Sequence, residues 1–215
     1  MPTVRSELRE MLPTWAVVVL LPAPVATFWH EGSGRDFAYA YLFLGCAILA
    51  AERFGRAAYQ GIPGGAPLWR AKMTALGLAV AGAVGVFTAF AWAMIGRPDG
   101  LVPLFAALAV VPALCCVPFL AAVTGRPYAA VLLAALLLGA VKLAGCVVVV
   151  LVYGWNAQAE GHTTLPWEQP NLLVWLCLAG AMALSAVLYP LGRRAFLTHT
   201  SPAPPNPALH LTGGA

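Results

Sequence analysis

Two places in this 215-residue chain carry residues that could do chemistry. Lys142 is the fourteenth residue of the apolar run AAVLLAALLLGAVKLAGCVVVVLVYG (129–154). A charge at that depth of a bilayer costs at least ~2.5–3.5 kcal/mol on insertion scales. Such a lysine either faces a wet cavity or a translocation path with an anionic group, or it snorkels or bonds carbonyls freed by a proline-broken neighbour. The second place is Glu52–Lys72, ERFGRAAYQGIPGGAPLWRAK, which holds four of the twelve Lys/Arg residues (Arg53, Arg56, Arg70 and Lys72). It is too polar to sit in lipid, and apolar runs leave it in both directions. It therefore lies at a membrane face, where it is free to meet a partner.

Other catalytic sets are absent from the sequence. There is no HExxH, no GxSxG, no paired aspartate on neighbouring apolar runs and no GxxxxGK[ST] phosphate loop. The histidines His30, His162, His199 and His210 fall in connections and tail, where a lone histidine reads as polar surface. The five cysteines all lie inside apolar runs, which argues against a disulfide framework or a CxxC metal site. No metal, cofactor or nucleic acid is expected, and the chain reads as no enzyme in itself.

The elements that must hold these residues follow from composition. Hydrophobic residues make up 61% of the chain and charged residues 9%. Soluble domains carry roughly 25% charged residues, so the solvent for this chain is the bilayer. Apolar runs predict an all-α polytopic membrane protein with about six spans: 13–29, 37–53, 73–95, 101–123, 129–154 and 171–192. The second is short, FAYAYLFLGCAILAA at 37–51, so its helix should continue past Glu52. Pro22 and Pro24 should kink the first span, and Pro112 should kink or break the fourth. Gly77, Ala81 and Gly85 put small residues on one face of the third, for a dimer contact or for packing within the chain. GRPDG (96–100) and TGRPY (124–128) read as turns.

Before the spans, MPTVRSELREML reads either as an amphipathic helix in the interface or as a solvated lead. Its two acids do not suit a cleavable signal peptide. WNAQAEGHTTLPWEQP (155–170) is the other long polar connection, serving as an interfacial belt, a re-entrant helix or a ligand loop. Residues 1–197 form one transmembrane domain, and the Pro-rich stretch 198–215 reads as disordered.

Lysine and arginine set the sidedness. With six spans, nine fall on the side of the two termini and the 52–72 segment, two (Arg35 and Arg97) on the other, and Lys142 within a span. Both termini are therefore expected on the cytoplasmic side.

In layout, residues 5–192 resemble the permease subunits of ABC-2-type transporters. Those open on a short amphipathic helix, to which SELREMLP (6–13) is similar. Two spans, a cytoplasmic segment that docks on an ATPase, and four more spans follow. Glu52-Arg53 with Gly55, Ile62-Pro63, and Leu68-Trp69 with Lys72 match the segment's pattern, whereas RAAYQG and Gly64-Gly65 replace its leucine-rich turn and Ser-Arg. The resemblance implies a permease subunit of an ABC-type exporter in the inner (cytoplasmic) membrane. It would act with a separate ATP-binding subunit and a second permease subunit. Glu52, Arg53, Pro63, Trp69 and Lys72 are then the ATPase-contact candidates and Lys142 the translocation-path candidate. The rival reading is a small polytopic membrane protein with a structural or assembly role, in which 52–72 is only a positive-inside connection.

Overall fold

The computed structural model describes residues 3–20, 32–59, 65–95, 102–160 and 170–200. Those residues form six helices and no strand: α1 (Val4–Leu20), α2 (Gly32–Tyr59), α3 (Gly65–Ile95), α4 (Val102–Thr124), α5 (Pro127–Glu160) and α6 (Pro170–Thr200). Three stretches within them are long and apolar enough to cross a membrane: Gly65–Phe90, Pro127–Val152 and Trp175–Thr198. The second half of the expected first span (21–29, with Pro22, Pro24 and Trp29), the turn at 96–100 and tail residues 201–215 lie outside the described residues.

Helix ends follow local chemistry. Thr3 and Ser6 cap α1 reciprocally, Ser6 N–H donating to Thr3 Oγ1 (3.3 Å) and Thr3 N–H to Ser6 Oγ (3.1 Å). Gly125 ends α4 at φ 62°, a left-handed conformation that a side chain would oppose, and its N–H closes the last turn on the Ala121 carbonyl at 3.0 Å. Pro127 then starts α5 at the position where a missing N–H costs nothing. The expected turn TGRPY is thus present.

Several lengths differ from expectation. Helix α2 runs through Glu52 to Tyr59, as the short second run required. Helix α5 continues to Glu160, so the first third of the expected 155–170 connection is helical. Helix α6 reaches Thr200, into the stretch read as disordered. Pro112 does not break α4, which is continuous from Val102 to Thr124 with Pro112 and Pro118 both buried.

The largest difference is at the N-terminus. The amphipathic lead and the start of the first span are one helix, continuous through Pro13. Its buried residues Glu7, Met11 and Val18 fall at i, i+4 and i+11, one face of a helix. That face meets protein, so α1 is a bundle member, not a lead exposed on all sides. Trp15 Nε1 donates to the Ala79 carbonyl at 2.7 Å, while Glu7 meets Lys72, so α1 and α3 run parallel. Thr14 bonds Glu52 and Val18 meets Gly45, so α1 runs antiparallel to α2.

Helix α4 occupies the centre, packed extensively on α2, α5 and α6 and less so on α3. Its small residues Ala113, Cys116, Ala121 and Ala122 are buried, letting helix backbones come close. Gly192 of α6 sits against Phe119 of α4, where a Cβ would lie 3.1 Å from the Phe119 Cα. The Gly77–Ala81–Gly85 face of α3 is not used in this way. A Cβ at Gly77 or Gly85 meets nothing within 4 Å, so the described helices leave that face open.

Gly45 tests the packing of α1. A Cβ there would lie 2.5 Å from Val18 Cγ1, and a helical valine has little rotamer freedom with which to give way. Gly45→Ala is expected to lower the thermal unfolding midpoint in detergent, by about 1–3 kcal/mol of stability, and Val18→Ala in the same chain to restore most of it. An unaltered midpoint in the single variant would show that α1 does not dock as described.

Candidate functional site at the basic end of the bundle

One end of the bundle collects the charged residues. Gly55 of α2 lies against Pro127, the first residue of α5. Phe54 of α2, Trp69 of α3 and Phe196 of α6 share one aromatic cluster. Glu7 of α1 reaches Lys72 of α3. These contacts bring together the start of α1, the end of α2, the start of α3, the α4–α5 turn and the end of α6. The basic residues read from the sequence as one side of the membrane are carried by those ends.

At the heart of this end is an ion pair. Lys72 Nζ lies 3.1 Å from Glu7 Oε1 and 3.0 Å from Oε2, and both residues are buried, at 7% exposure each. Arg53 Nη1 stands 4.0 Å from the same carboxylate and donates to Glu10 Oε2 at 2.6 Å. Glu52, the neighbour of Arg53, accepts from Thr14 Oγ1 at 3.2 Å. Taking ions out of water costs several kcal/mol each, and only close, well-bonded partners offset that. Glu7 meets the condition through two contacts to an ammonium and a second cation nearby. The two acids of α1 balance the two bases from either side of the 60–64 connection.

Trp69 is the second feature. Its ring packs on Phe54 (centroids 5.0 Å, interplanar 67°), Phe196 (5.3 Å, 53°) and Tyr189 (6.1 Å, 58°). Phe54 also meets Phe196 edge-on at 5.6 Å and 69°. Such tilted pairs add to the stabilisation from burial alone. The indole is 3% exposed and its Nε1 has no hydrogen-bond partner among the described residues, so its contribution here comes from its ring.

The sequence candidates therefore separate. Glu52, Arg53, Trp69 and Lys72 come together at one end, but their side chains are engaged with α1, α2 and α6. Pro63 lies outside the described residues. Lys142 is elsewhere, exposed midway along α5. What the end turns outward is a set of arginines: Arg5, Arg9, Arg56, Arg70, Arg126, Arg193 and Arg194 are exposed, and none pairs with a carboxylate among the described residues. No group of three His, Cys, Asp or Glu side chains among the described residues is placed to hold a metal.

Sequence reasoning missed Glu7 and Glu10. They stand three apart on one helical face, and they are acids in a segment of otherwise basic character. That combination could have marked them as partners for buried bases.

A double-mutant cycle checks the pair. Glu7→Leu or Lys72→Met alone should each cost about 3–5 kcal/mol, because each leaves a buried charge without its partner. Glu7→Leu with Lys72→Met should cost far less than the sum, measured by unfolding in detergent. Trp69→Phe, which keeps an aromatic ring but leaves a small cavity, should cost clearly less than Trp69→Ala, which should cost about 3–5 kcal/mol.

Compared with known protein families, with curated proteins and with solved structures, the chain matches none.

Proposed function

We propose that the chain is a membrane-spanning permease subunit of an ABC-type exporter in the cytoplasmic membrane. A separate ATPase docks on its 52–72 segment, and a second permease subunit completes the path. The chain holds no phosphate loop, so work would reach it by contact, as a push on a rigid cytoplasmic segment. The observation that supports this is the locking of both helices that flank the 60–64 connection. Lys72 and Arg53 tie α3 and α2 to α1, and Trp69 and Phe54 tie them to α6. A displacement of either flanking helix would be handed on to α1 and α6.

One observation favours the rival reading, a structural or assembly protein. Four of the five expected contact residues serve the chain's own packing, which a protein with no ATPase partner would also show. Under the permease reading, contact passes instead to the exposed arginines flanking them, Arg56 and Arg70.

The test is co-purification from the native host in mild detergent with an N-terminal tag, followed by mass spectrometry. A stoichiometric ATPase with a phosphate-loop motif is expected. Arg56→Glu with Arg70→Glu should reduce its recovery at least ten-fold while leaving elution and sidedness of the tag unchanged. No nucleotide-binding partner across several detergents would overturn the permease reading.

A further inference from the structure

Over Pro127–Val152, helix α5 gives little of its surface to the other described helices. Ala130, Ala134, Gly145 and Val149 are buried along one stripe, with Gly145 against Leu173 and Cys177 of α6. Beside that stripe runs a second line at helical spacing: Ala135, Gly139, Lys142, Cys146 and Val150. All are exposed except Cys146, which is half-buried. A Cβ built on Gly139, one turn from the lysine, meets nothing within 4 Å. The charge therefore stands in a row of mostly small residues on which another helix could lie close.

Lys142 has no carboxylate partner among the described residues, and its charge acts only on the weakly polar Cys177 thiol of α6. Within the apolar stretch Pro127–Val152 it lies about 22 Å from one end and about 15 Å from the other at 1.5 Å per residue. Its four-carbon stem is shorter than either distance. The eight acids are Glu7, Glu10, Glu31, Asp36, Glu52, Asp99, Glu160 and Glu168, and none is central in an apolar run. A second copy related by a two-fold axis through this face would bring another Lys142 to the same depth, and like charges repel.

We infer that the Ala135–Gly139–Lys142–Cys146 face of α5 docks a membrane helix of a different chain, one that carries an Asp or Glu at mid-depth to pair with Lys142. The small residues allow close approach, and the lysine selects the partner by charge and depth. The inference concerns the membrane face alone and stands whether or not an ATPase docks at the basic end.

The full chain, labelled with a donor fluorophore at its N-terminus, is reconstituted in phosphatidylcholine vesicles. Acceptor-labelled Leu/Ala transmembrane peptides are added with a central Glu, Gln or Leu. The Glu peptide should associate at least ten-fold more tightly than the Leu peptide. Lys142→Leu, which eases insertion, should abolish that preference, and Ala135→Leu with Gly139→Leu should weaken it with the lysine intact. Equal binding of Glu and Leu peptides, or a preference that survives Lys142→Leu, would overturn the proposal. In the native host, a photo-crosslinker at position 139 should join a chain whose crosslinked helix holds a carboxyl group, and replacing that carboxyl by leucine should remove the adduct. Adducts only to a second copy, or only to lipid, would refute it.

Discussion

The contact between Glu7 and Lys72 sets the arrangement at the basic end. Sixty-five residues separate the two in sequence, and both are buried. Apolar packing alone would tolerate some slippage of α1 along α3. A buried ion pair does not, because a shift of one turn leaves two charges unpaired in a medium of low dielectric. The pair thus fixes the height of α1 against α3. Arg53, bridging to Glu10, extends the constraint to α2. Whether the pair adds net stability over an apolar substitute is secondary to this. Its effect is that one register is strongly preferred.

With the register fixed, packing is governed by small residues. Between helices in lipid there is little hydrophobic driving force, so close van der Waals contact has to hold them. Gly45 receives Val18, Gly180 receives Val141, and Gly192 receives Phe119. Each glycine admits a side chain where a Cβ would stand within about 3 Å of it. Helix α4 extends the scheme, with alanines and prolines buried at the centre and a long contact between Cys116 Sγ and Ser185 Oγ at 3.9 Å. Its prolines do not interrupt it, as proline is tolerated where neighbouring helices enclose the backbone.

Much of this was legible in the sequence. Apolar runs placed the helices, Gly125 and Pro127 placed a turn, and the basic residues marked the end at which helix termini gather. The fate of α1 was not legible. Amphipathic periodicity says that one face is apolar, but not whether that face will meet head groups or helices, and only the arrival of α2 and α3 decides it. The direction of Arg53 and Lys72 was hidden for a related reason. A base near the end of an apolar run points outward to water by default, and it turns inward only if an acid from elsewhere lies at the right height. Trp69 has the same ambiguity, since a tryptophan near a helix end suits an interface as well as a core. Its aromatic partner Phe196 lies 127 positions away, beyond any local pattern.

The basic end therefore has two electrostatic layers of different kind. The inner layer, Glu7, Glu10, Arg53 and Lys72, balances in charge and joins helices. The outer arginines, from Arg5 to Arg194, have no carboxylate among the described residues to neutralise them. Charges at a surface lose most of their field within roughly a Debye length, about 8 Å at physiological salt, so only something seated directly on this end would feel it. A layer already neutral offers such a partner little attraction, and a layer that remains positive offers a good deal. The unneutralised charge at this end then lies in residues that the fold does not use, and rigidity in those that it does. The same division runs through α5, where the buried stripe of Ala134 and Gly145 serves the chain and Lys142 does not. In both places the charges left without a carboxylate among the described residues are cationic.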